Sequence, residues 1–495
     1  MKHPLTVASA LALTACATGA PRTPEVAVPP AFEATGPSGQ LQGLDRWWTL
    51  YGDVQLTALV DEATARGFSA REALARLNEA RAVRRSALDR FGLQGDVQAS
   101  ATRQQTYNIG DSSIDLGGGG IPGGGIPGGG GIPGGGAGIA FPGRLDSYSL
   151  SLPVTWELDL FGRRGASLRA ADADLDASRF AYIGARTTLA ADVADQLFQA
   201  RGLAVQIADA RETVRIRGTL RRAADERARR GLAARSDVDR VDTDLANARA
   251  QLAALEAQLF AARRALLALL GRATDPIESV PINGDLATPP PIPAGLPADL
   301  LIRRPDVLEA RAGLESALGR LRTAELAQFP TLTLTPSAGL NATRGVFEQT
   351  TGFWSLGAGL LVPLLNRDRL RAEVGVADAR TEGAVLAFER RVQTAFAEVD
   401  QAIAQLGADR RRIALLAEGE ARARASYDAA LIRYQRGLSD LQNLLDAEAA
   451  WRLARSGASA ARVDALSRSV RLFKALGGGW DPASPPPLSS GTRNN

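Results

Sequence analysis

Two long proline-free stretches with helical patterning dominate the chain, residues 154–275 and 364–481. Each has an arginine-rich break near its middle, followed by a glycine, Gly231 or Gly437, where a helix C-cap favours one. The outgoing arm of the first stretch would extend roughly 98 Å at about 1.5 Å per residue, which exceeds any single globular core. The pattern predicts two helical hairpins, over 165–271 and 367–476.

The returning arm of the first hairpin carries a coiled-coil seam, in which leucines recur at intervals of seven, three and four. These leucines are Leu245, Leu252, Leu255, Leu259, Leu266 and Leu270. A plain long coiled coil has the same spacing, and only the segments that precede each hairpin speak against it.

Strictly alternating segments precede both hairpins. From Ser147 to Val154, one face carries Tyr, Leu, Leu and Val and the other carries Ser, Ser, Ser and Pro, and residues 331–335 alternate Thr with Leu. Such faces are typical of a lipid-facing, water-lined barrel strand and equally of a half-buried soluble strand. The predicted strands lie at about 93–106, 145–158, 331–342 and 352–363.

The order of helix, strand pair and helical hairpin occurs twice, and Gly231 aligns with Gly437 at an offset of 206 residues. This order predicts an internal duplication. The first repeat covers 16–285 with a helix at 54–91, and the second covers 298–480 with a helix at 298–328. The segments outside this pattern are a glycine-rich loop at 117–143, a proline-rich linker at 286–297 and a disordered tail at 481–495.

The N-terminus predicts a lipoprotein. Cys16 is the single cysteine, and it follows a short apolar run in Leu13-Thr14-Ala15-Cys16. That run is too short to span a bilayer, so residues 1–15 are predicted to be a signal peptide that is removed. Cys16 would then carry a covalent lipid, with no other cofactor, unless it is a chance cysteine after an ordinary signal. Ala17 favours sorting to the outer membrane.

Composition argues against catalysis and against nucleic acid. The one histidine, His3, would leave with the signal peptide, which excludes a Ser/His/Asp triad and a Cys/His zinc site in the mature chain. No acidic pair stands in an aromatic-rich context, no GxxxxGK(S/T) loop or GxGxxG after a strand is present, and the glycines near 120 lack the following helix that phosphate binding needs. The formal charge of +4 comes from arginine spread among acidic residues. We therefore expect neither an enzyme nor a nucleic-acid partner.

Several short motifs make the chain resemble the TolC-type outer-membrane factors, and within them the lipoprotein branch that serves RND drug-efflux pumps. The resemblance covers nearly the whole mature chain, and the motifs are specific in combination. They are Arg46-Trp47-Trp48 with Tyr51-Gly52-Asp53, Glu157 to Arg163 (ELDLFGR), Leu301 to Val307 (LIRRPDV), Tyr434 with Gly437 and Leu444 to Ala447 (LLDA), and Lys474 to Trp480 (KALGGGW).

The resemblance implies an α+β membrane protein. It would be a homotrimer whose protomers each give four strands to one twelve-stranded transmembrane β-barrel, continued by a long α-helical coiled-coil tunnel in the periplasm. The protein would be lipid-anchored in the outer membrane, as a passive exit duct served by a periplasmic adaptor and an inner-membrane RND-type transporter. The alternatives are a conduit for type I protein secretion and, from a different class, a structural or adaptor coiled-coil lipoprotein.

The resemblance also implies a periplasmic gate at the hairpin tips, with a hydrogen bond from Tyr434 to Asp237 as the main latch. Ser439 and Asn443 stand where the best-known member has charged residues, for which Arg235, Arg433 or Arg436 could substitute. Helix capping is the alternative role for Ser236 and Asp440. The implied gate residues are Ser236, Asp237, Tyr434, Ser439, Asn443 and Asp446. The implied adaptor-contacting turn residues are Gly231, Leu232, Gly437, Leu438 and Ser439.

Overall fold

The computed structural model describes residues 23–25, 28–34, 44–106, 143–232, 234–291, 297–345 and 348–481. Cys16, nearly all of the glycine-rich loop and the tail beyond Asp481 lie outside the described residues. The helices are α1 (Val54–Arg66), α2 (Phe68–Asp89), α3 (Arg163–Arg229), α4 (Arg235–Leu269), α5 (Leu300–Arg303), α6 (Pro305–Leu326), α7 (Arg367–Gln435) and α8 (Leu441–Ala475). The strands are β1 (Gln94–Gly95), β2 (Gln98–Thr106), β3 (Gly143–Leu158), β4 (Thr331–Arg344) and β5 (Gln349–Leu361).

The described chain forms two compact units. A helical unit takes in the residues up to Arg84, Leu168–Leu321 and the residues from Val374 onward, and a second unit takes in Arg85–Ser167 and Arg322–Glu373. Each unit thus draws on both halves of the sequence. In the part of the chain that the structure describes, none of the helices has the length and apolar character of a membrane span.

Two predicted helices are interrupted. The helix expected at 54–91 breaks at Gly67, where a Cβ atom would lie 2.6 Å from the Ala63 carbonyl oxygen and 2.8 Å from Leu189 Cδ2. Close packing requires glycine there, and the backbone leaves the helical conformation at this residue, with φ −57° and ψ 139°. The helix expected at 298–328 is broken before Pro305, which begins α6 because its fixed φ suits a first helical position.

The strands form an antiparallel sheet in the order β1/β2, β3, β4, β5, because β1 and β2 pair with successive parts of β3. The strand predicted at 93–106 is therefore divided at Asp96 and Val97. In the described part of the chain, β2 and β5 each pair on one side only, so the sheet of one protomer is not closed.

The register of the sheet separates the two kinds of side chain. Leu150 of β3 lies opposite Leu340 of β4, and Leu332 of β4 lies opposite Leu360 of β5. Ser149, on the other face of β3, lies opposite Asn341. The alternation in the sequence thus becomes one apolar and one hydroxyl-bearing face. The exposed apolar side chains include Tyr148, Leu150, Leu152, Leu340, Trp354, Leu356 and Leu360.

The helical unit is built from long paired helices. The outgoing helices α3 and α7 have 67 and 69 residues, and the returning helices α4 and α8 have 35 each. The predicted leucine seam of α4 faces inward, with Leu245, Leu255, Leu266 and Leu270 buried. Packing along this one stripe stabilises the helix, although its average hydrophobicity is low.

The motifs at the two ends of the chain pack against each other in this unit. Trp47 is fully buried, and the Tyr51 hydroxyl shares a hydrogen bond of 2.6 Å with Ser469 of α8. Asp53 accepts the N–H of Leu56 at the start of α1 and pairs with the buried Arg201 of α3. One aspartate therefore caps a helix and neutralises a buried cation.

The motif at Leu301–Val307 contacts the same end of α8. Trp480 Nε1 donates to the Arg303 carbonyl at 2.9 Å, and Arg304 donates to the Ala475 carbonyl at 3.1 Å. Gly477 has φ +73°, and a Cβ atom there would lie 2.7 Å from the Arg303 oxygen. The glycine run after α8 therefore allows three motifs to meet at the end of that helix.

Candidate functional site

The two hairpin turns have the same backbone geometry. Gly231 and Gly437 have φ +72° and +70°. After α3, the N–H of Gly231 donates to Ala228 at 3.0 Å and that of Leu232 donates to Arg227 at 2.8 Å. This pair of bonds is a Schellman C-cap, and it confirms the cap predicted from the glycine.

The second turn repeats these bonds. The N–H of Gly437 donates to Tyr434 at 3.0 Å, and that of Leu438 donates to Arg433 at 2.9 Å. Each turn presents an apolar side chain to solvent, with Leu232 66% and Leu438 73% exposed. Both leucine side chains are therefore accessible at the surface of this protomer.

An apolar cluster, here called the tip cluster, packs the two hairpins together behind the turns. All four long helices contribute to it, so both turns lie at one end of the helical unit. Its buried members are Leu220 and Ala224 of α3, Val238 and Val241 of α4, Tyr427 of α7, and Leu444, Leu445 and Trp451 of α8.

Tyr434 packs against the tip cluster and contacts the first hairpin. Its hydroxyl accepts a long hydrogen bond of 3.4 Å from Arg227 Nη1, and the Arg227 guanidinium lies 5.7 Å from its ring centroid. Arg235, Arg433 and Arg436 were the latch cations expected from the sequence, and Arg227 was not among them. The duplication contained the missing signal, because the 206-residue offset makes Arg227 the counterpart of Arg433.

Asp237 and Ser236 lie exposed in the first turn of α4. The N-cap of this helix is Ala234, so Ser236 does not have the capping role considered for it. A carboxylate at Asp237 suits the positive end of the helix dipole. Since the Tyr434 hydroxyl pairs with Arg227 in this protomer, the hydrogen bond from Tyr434 to Asp237 stays a prediction.

The remaining predicted gate residues surround the start of α8. Asp440 is its N-cap and accepts the Asn443 N–H at 2.9 Å, which confirms the capping role. Asp446 is exposed and accepts two contacts from Gln442 Nε2, at 2.7 and 2.9 Å. Ser439 is partly exposed beside the turn, and Asn443 is exposed.

A buried carboxylate lies among the tip-cluster residues. Glu448 is 0% exposed, and its oxygens lie 3.6 Å from Arg217 Nε and 3.5 Å from Arg452 Nε. Burial raises the pKa of Glu448, and the two guanidiniums oppose that rise. Glu448 was not predicted from the sequence, although its spacing from Leu444 and Trp451 places it on a buried helix face.

The aromatic residues of the tip cluster lie close to a charged side chain. Tyr427 stacks on Trp451 with ring centroids 5.1 Å apart, and burial raises the pKa of Tyr427. The Arg452 guanidinium lies 4.5 Å from the Trp451 ring centroid. Among the described residues, no group of histidine, cysteine and acidic side chains has the arrangement of a metal site.

The chain is similar to a family of known proteins over most of its length. The model of the family described as "Outer membrane efflux protein" matches residues 59–272 and 296–478. The pyoverdine export outer membrane protein OpmQ of Pseudomonas aeruginosa is 29% identical over 484 residues, which cover 97% of each chain. The outer membrane protein OprJ of the same species is 31% identical over 487 residues, which cover 95% of each chain.

A solved structure has the same fold. The outer-membrane channel OprN superposes with a TM-score of 0.77 and 25% sequence identity, over 93% of this chain and 99% of OprN.

Proposed function

The chain belongs to the outer membrane efflux protein family, and we propose that three copies of it form the exit duct of a tripartite efflux system. Its function is that of an outer-membrane component of an efflux pump. In the full proposal, a periplasmic adaptor and an inner-membrane RND-type transporter complete the system, and the transporter supplies the energy. The family assignment replaces the alternative of a structural or adaptor lipoprotein.

The two-faced sheet is the observation that carries the proposal. Leu150, Leu340 and Trp354 lie exposed on one face of adjacent strands, while Ser149 and Asn341 lie on the other. An apolar face suits lipid, and a hydroxyl face suits a water-filled lumen. A soluble sheet would instead bury its apolar face against other elements.

The open edges of the sheet require other copies. In hydrocarbon, the unpaired backbone groups of β2 and β5 would each cost several kcal/mol, on the order of the desolvation of an amide. Closure with strands from further protomers removes those edges. Three protomers with four strands each would give twelve strands, and a barrel of that size leaves a lumen that side chains do not fill.

A lipid on Cys16 is the second membrane attachment in this proposal. The chain after it is held on α7, where the N–H of Glu25 donates to Glu389 at 3.0 Å and that of Ala34 donates to Asp400 at 2.9 Å. Phe32 stacks on Phe396 with centroids 5.4 Å apart. These contacts tie the lipid-bearing end of the chain to the helical unit.

The turns are the proposed periplasmic contact points. Gly231, Leu232, Gly437, Leu438 and Ser439 would meet the adaptor, and the two exposed leucines supply apolar contact area. The residues proposed for the gate are Ser236, Asp237, Tyr434, Ser439, Asn443 and Asp446. A gate at this position is supported by the contact of Tyr434 with Arg227, which links the two hairpins.

The test uses the full-length protein, extracted from outer membranes in detergent. We expect a particle of three chains by light scattering and discrete conductance steps in planar bilayers. Folded protein that is monomeric, or trimeric protein without conductance, would overturn the proposal. Lipid on Cys16 is tested separately by mass spectrometry of the mature N-terminus, with Cys16→Ser as the control.

A further inference from the structure

The acidic residue that lies eleven positions after each turn glycine has a different partner in each hairpin. In the first hairpin this residue is Asp242, and it pairs with Arg221 of the same hairpin at 3.0 Å. Arg221 lies ten positions before Gly231, and both side chains of the pair are 45% exposed. This ion pair is solvent-exposed and lies within one hairpin.

In the second hairpin the equivalent acid is Glu448, and the position equivalent to Arg221 is Tyr427. Glu448 therefore takes its cations from elsewhere: Arg217 of the first hairpin and Arg452 of its own helix. The side chains of Arg217 and Arg452 are only 18% and 12% exposed. The equivalent acids therefore form an exposed ion pair within the first hairpin and a buried one between the two hairpins.

The charged and titratable groups near Glu448 come from α3, α7 and α8. Arg217 of α3 is itself fixed by a 2.9 Å hydrogen bond to the Asp244 carbonyl of α4. Tyr427 of α7 stacks on Trp451, and the Arg424 guanidinium lies 5.7 Å from the same indole. Arg452 and Arg455 of α8 lie over that indole as well, at 4.5 and 5.9 Å.

The burial of Glu448 is only partly compensated. Its two ion-pair distances, 3.6 and 3.5 Å, are longer than a strong N–H···O bond. A buried carboxylate with such partners loses more hydration than they return. Arg452 moves with Glu448 on α8, whereas Arg217 does not. Any displacement of the second hairpin from the first therefore breaks the Arg217 contact and lets water reach the carboxylate.

We propose that Glu448 is a proton-sensitive positioning residue that holds the second hairpin against the first and links the state of the turns to pH. This inference rests on the proposed channel function. In the packed arrangement the carboxyl is buried, and burial raises its pKa. In the separated arrangement it is hydrated and ionises with an ordinary pKa.

The sign of the linkage follows from this difference. Burial raises the pKa of Glu448 above its ordinary value of 4.5, so the packed arrangement binds the proton more tightly. Acid therefore favours the packed, closed arrangement, and the closed-to-open ratio changes by at most about tenfold per pH unit and per protomer. A rise in pH favours opening.

The first experiment records the open probability of the wild type in planar bilayers from pH 8 to pH 5, beside Glu448→Gln, Arg217→Gln and Asp242→Asn. We expect the wild-type open probability to fall severalfold with acid. Glu448→Gln should be low at every pH, because its neutral amide mimics the protonated form. Arg217→Gln should shift the transition to higher pH, because a cation that favours ionisation is lost. Asp242→Asn is the matched control and should keep the wild-type profile.

A wild-type profile in Glu448→Gln, or a transition in Arg217→Gln that moves to lower pH, would overturn the inference. A second readout does not require conductance: the unfolding temperature of the detergent-solubilised protein between pH 8 and pH 5. The wild type should gain more stability with acid than Glu448→Gln does, and equal gains would contradict a buried, proton-binding Glu448. If the wild type and Glu448→Gln differ clearly in unfolding but the wild type shows no conductance, the proposed channel function is contradicted and the inference about Glu448 is not.

Discussion

Trp47 stacks on Phe473, with ring centroids 5.5 Å apart and planes 8° from parallel. The two residues stand near opposite ends of the described chain, and both are fully buried. The Tyr51 ring lies edge-on to both rings, at 6.1 and 6.2 Å. This aromatic cluster therefore packs the segment before α1 against the end of α8.

Removal of the Trp47 ring should loosen this junction. We expect Trp47→Ala to lower the free energy of unfolding by about 3–5 kcal/mol, because it leaves a cavity under Phe473. Trp47→Phe keeps a stacked ring and should cost less than half as much. Thermal unfolding followed by circular dichroism in detergent gives both values, and equal losses in the two variants would argue against the stack.

Arg201 and Asp53 should control how stability responds to acid. Burial raises the pKa of Asp53, but the hydrogen bond and charge of Arg201 and the N–H of Leu56 outweigh it and hold the pKa below its ordinary value of 3.8. The stabilisation from Asp53 is therefore present above pH 3.8 and is lost as the pH falls through the lower folded value. The wild type should keep this part of its stability down to about pH 4.

Arg201→Gln should reverse that response. The carboxyl would keep its burial without its cation, so we expect a loss of about 3–5 kcal/mol near neutral pH and a partial recovery as the pH falls from 7 to 5. The matched control is Arg46→Gln, whose pair with Asp61 is half exposed and should be worth less than about 1 kcal/mol. The check is the unfolding temperature at each pH. A loss for Arg201→Gln that does not change with pH would show that the pair is not the cause.

The sequence predicted local features better than contacts between hairpins. The caps at Gly231 and Gly437 were predictable because a positive φ is a local demand that glycine meets. The contact of Arg227 with Tyr434 was not predicted, because it depends on how two helices of nearly 70 residues align with each other. The same holds for Glu448, because one of its two cations, Arg217, comes from the other hairpin.

The break at Gly67 shows another limit of the sequence pattern. Helical periodicity continues through this residue, and an isolated glycine is tolerated inside a helix. Glycine is needed at the break because Leu189 approaches from a distant helix, with its Cδ2 atom 2.8 Å from where a Cβ would stand. The glycine is a local trace of this tertiary contact, but a single glycine does not by itself predict a break.

The two faces of β3 should differ in their tolerance of charge. We expect Leu150→Arg to reduce the amount of trimer inserted in outer membranes strongly, since arginine on a lipid face costs about 2–4 kcal/mol near the bilayer midplane. Ser149→Arg places the same side chain one residue away on the hydroxyl face and should insert nearly as the wild type does. Heat-modifiable mobility of membrane fractions measures insertion. Equal defects would contradict the assignment of the faces.

The contact of Arg227 with Tyr434 and the predicted latch from Tyr434 to Asp237 make different predictions for a double-mutant cycle. If Arg227 is the partner, Tyr434→Phe and Arg227→Gln should each raise the basal conductance in planar bilayers, and the double variant should gain less than the sum of the two. Tyr434→Phe keeps the ring under the guanidinium, so it should have the smaller effect.

Asp237→Ala would then add independently to Tyr434→Phe. If Asp237→Ala is instead the change that fails to add, the latch forms as predicted from the family and the Arg227 contact belongs to the isolated protomer. The Asp242→Asn variant serves as the control, because its exposed ion pair lies within one hairpin and should leave the conductance unchanged.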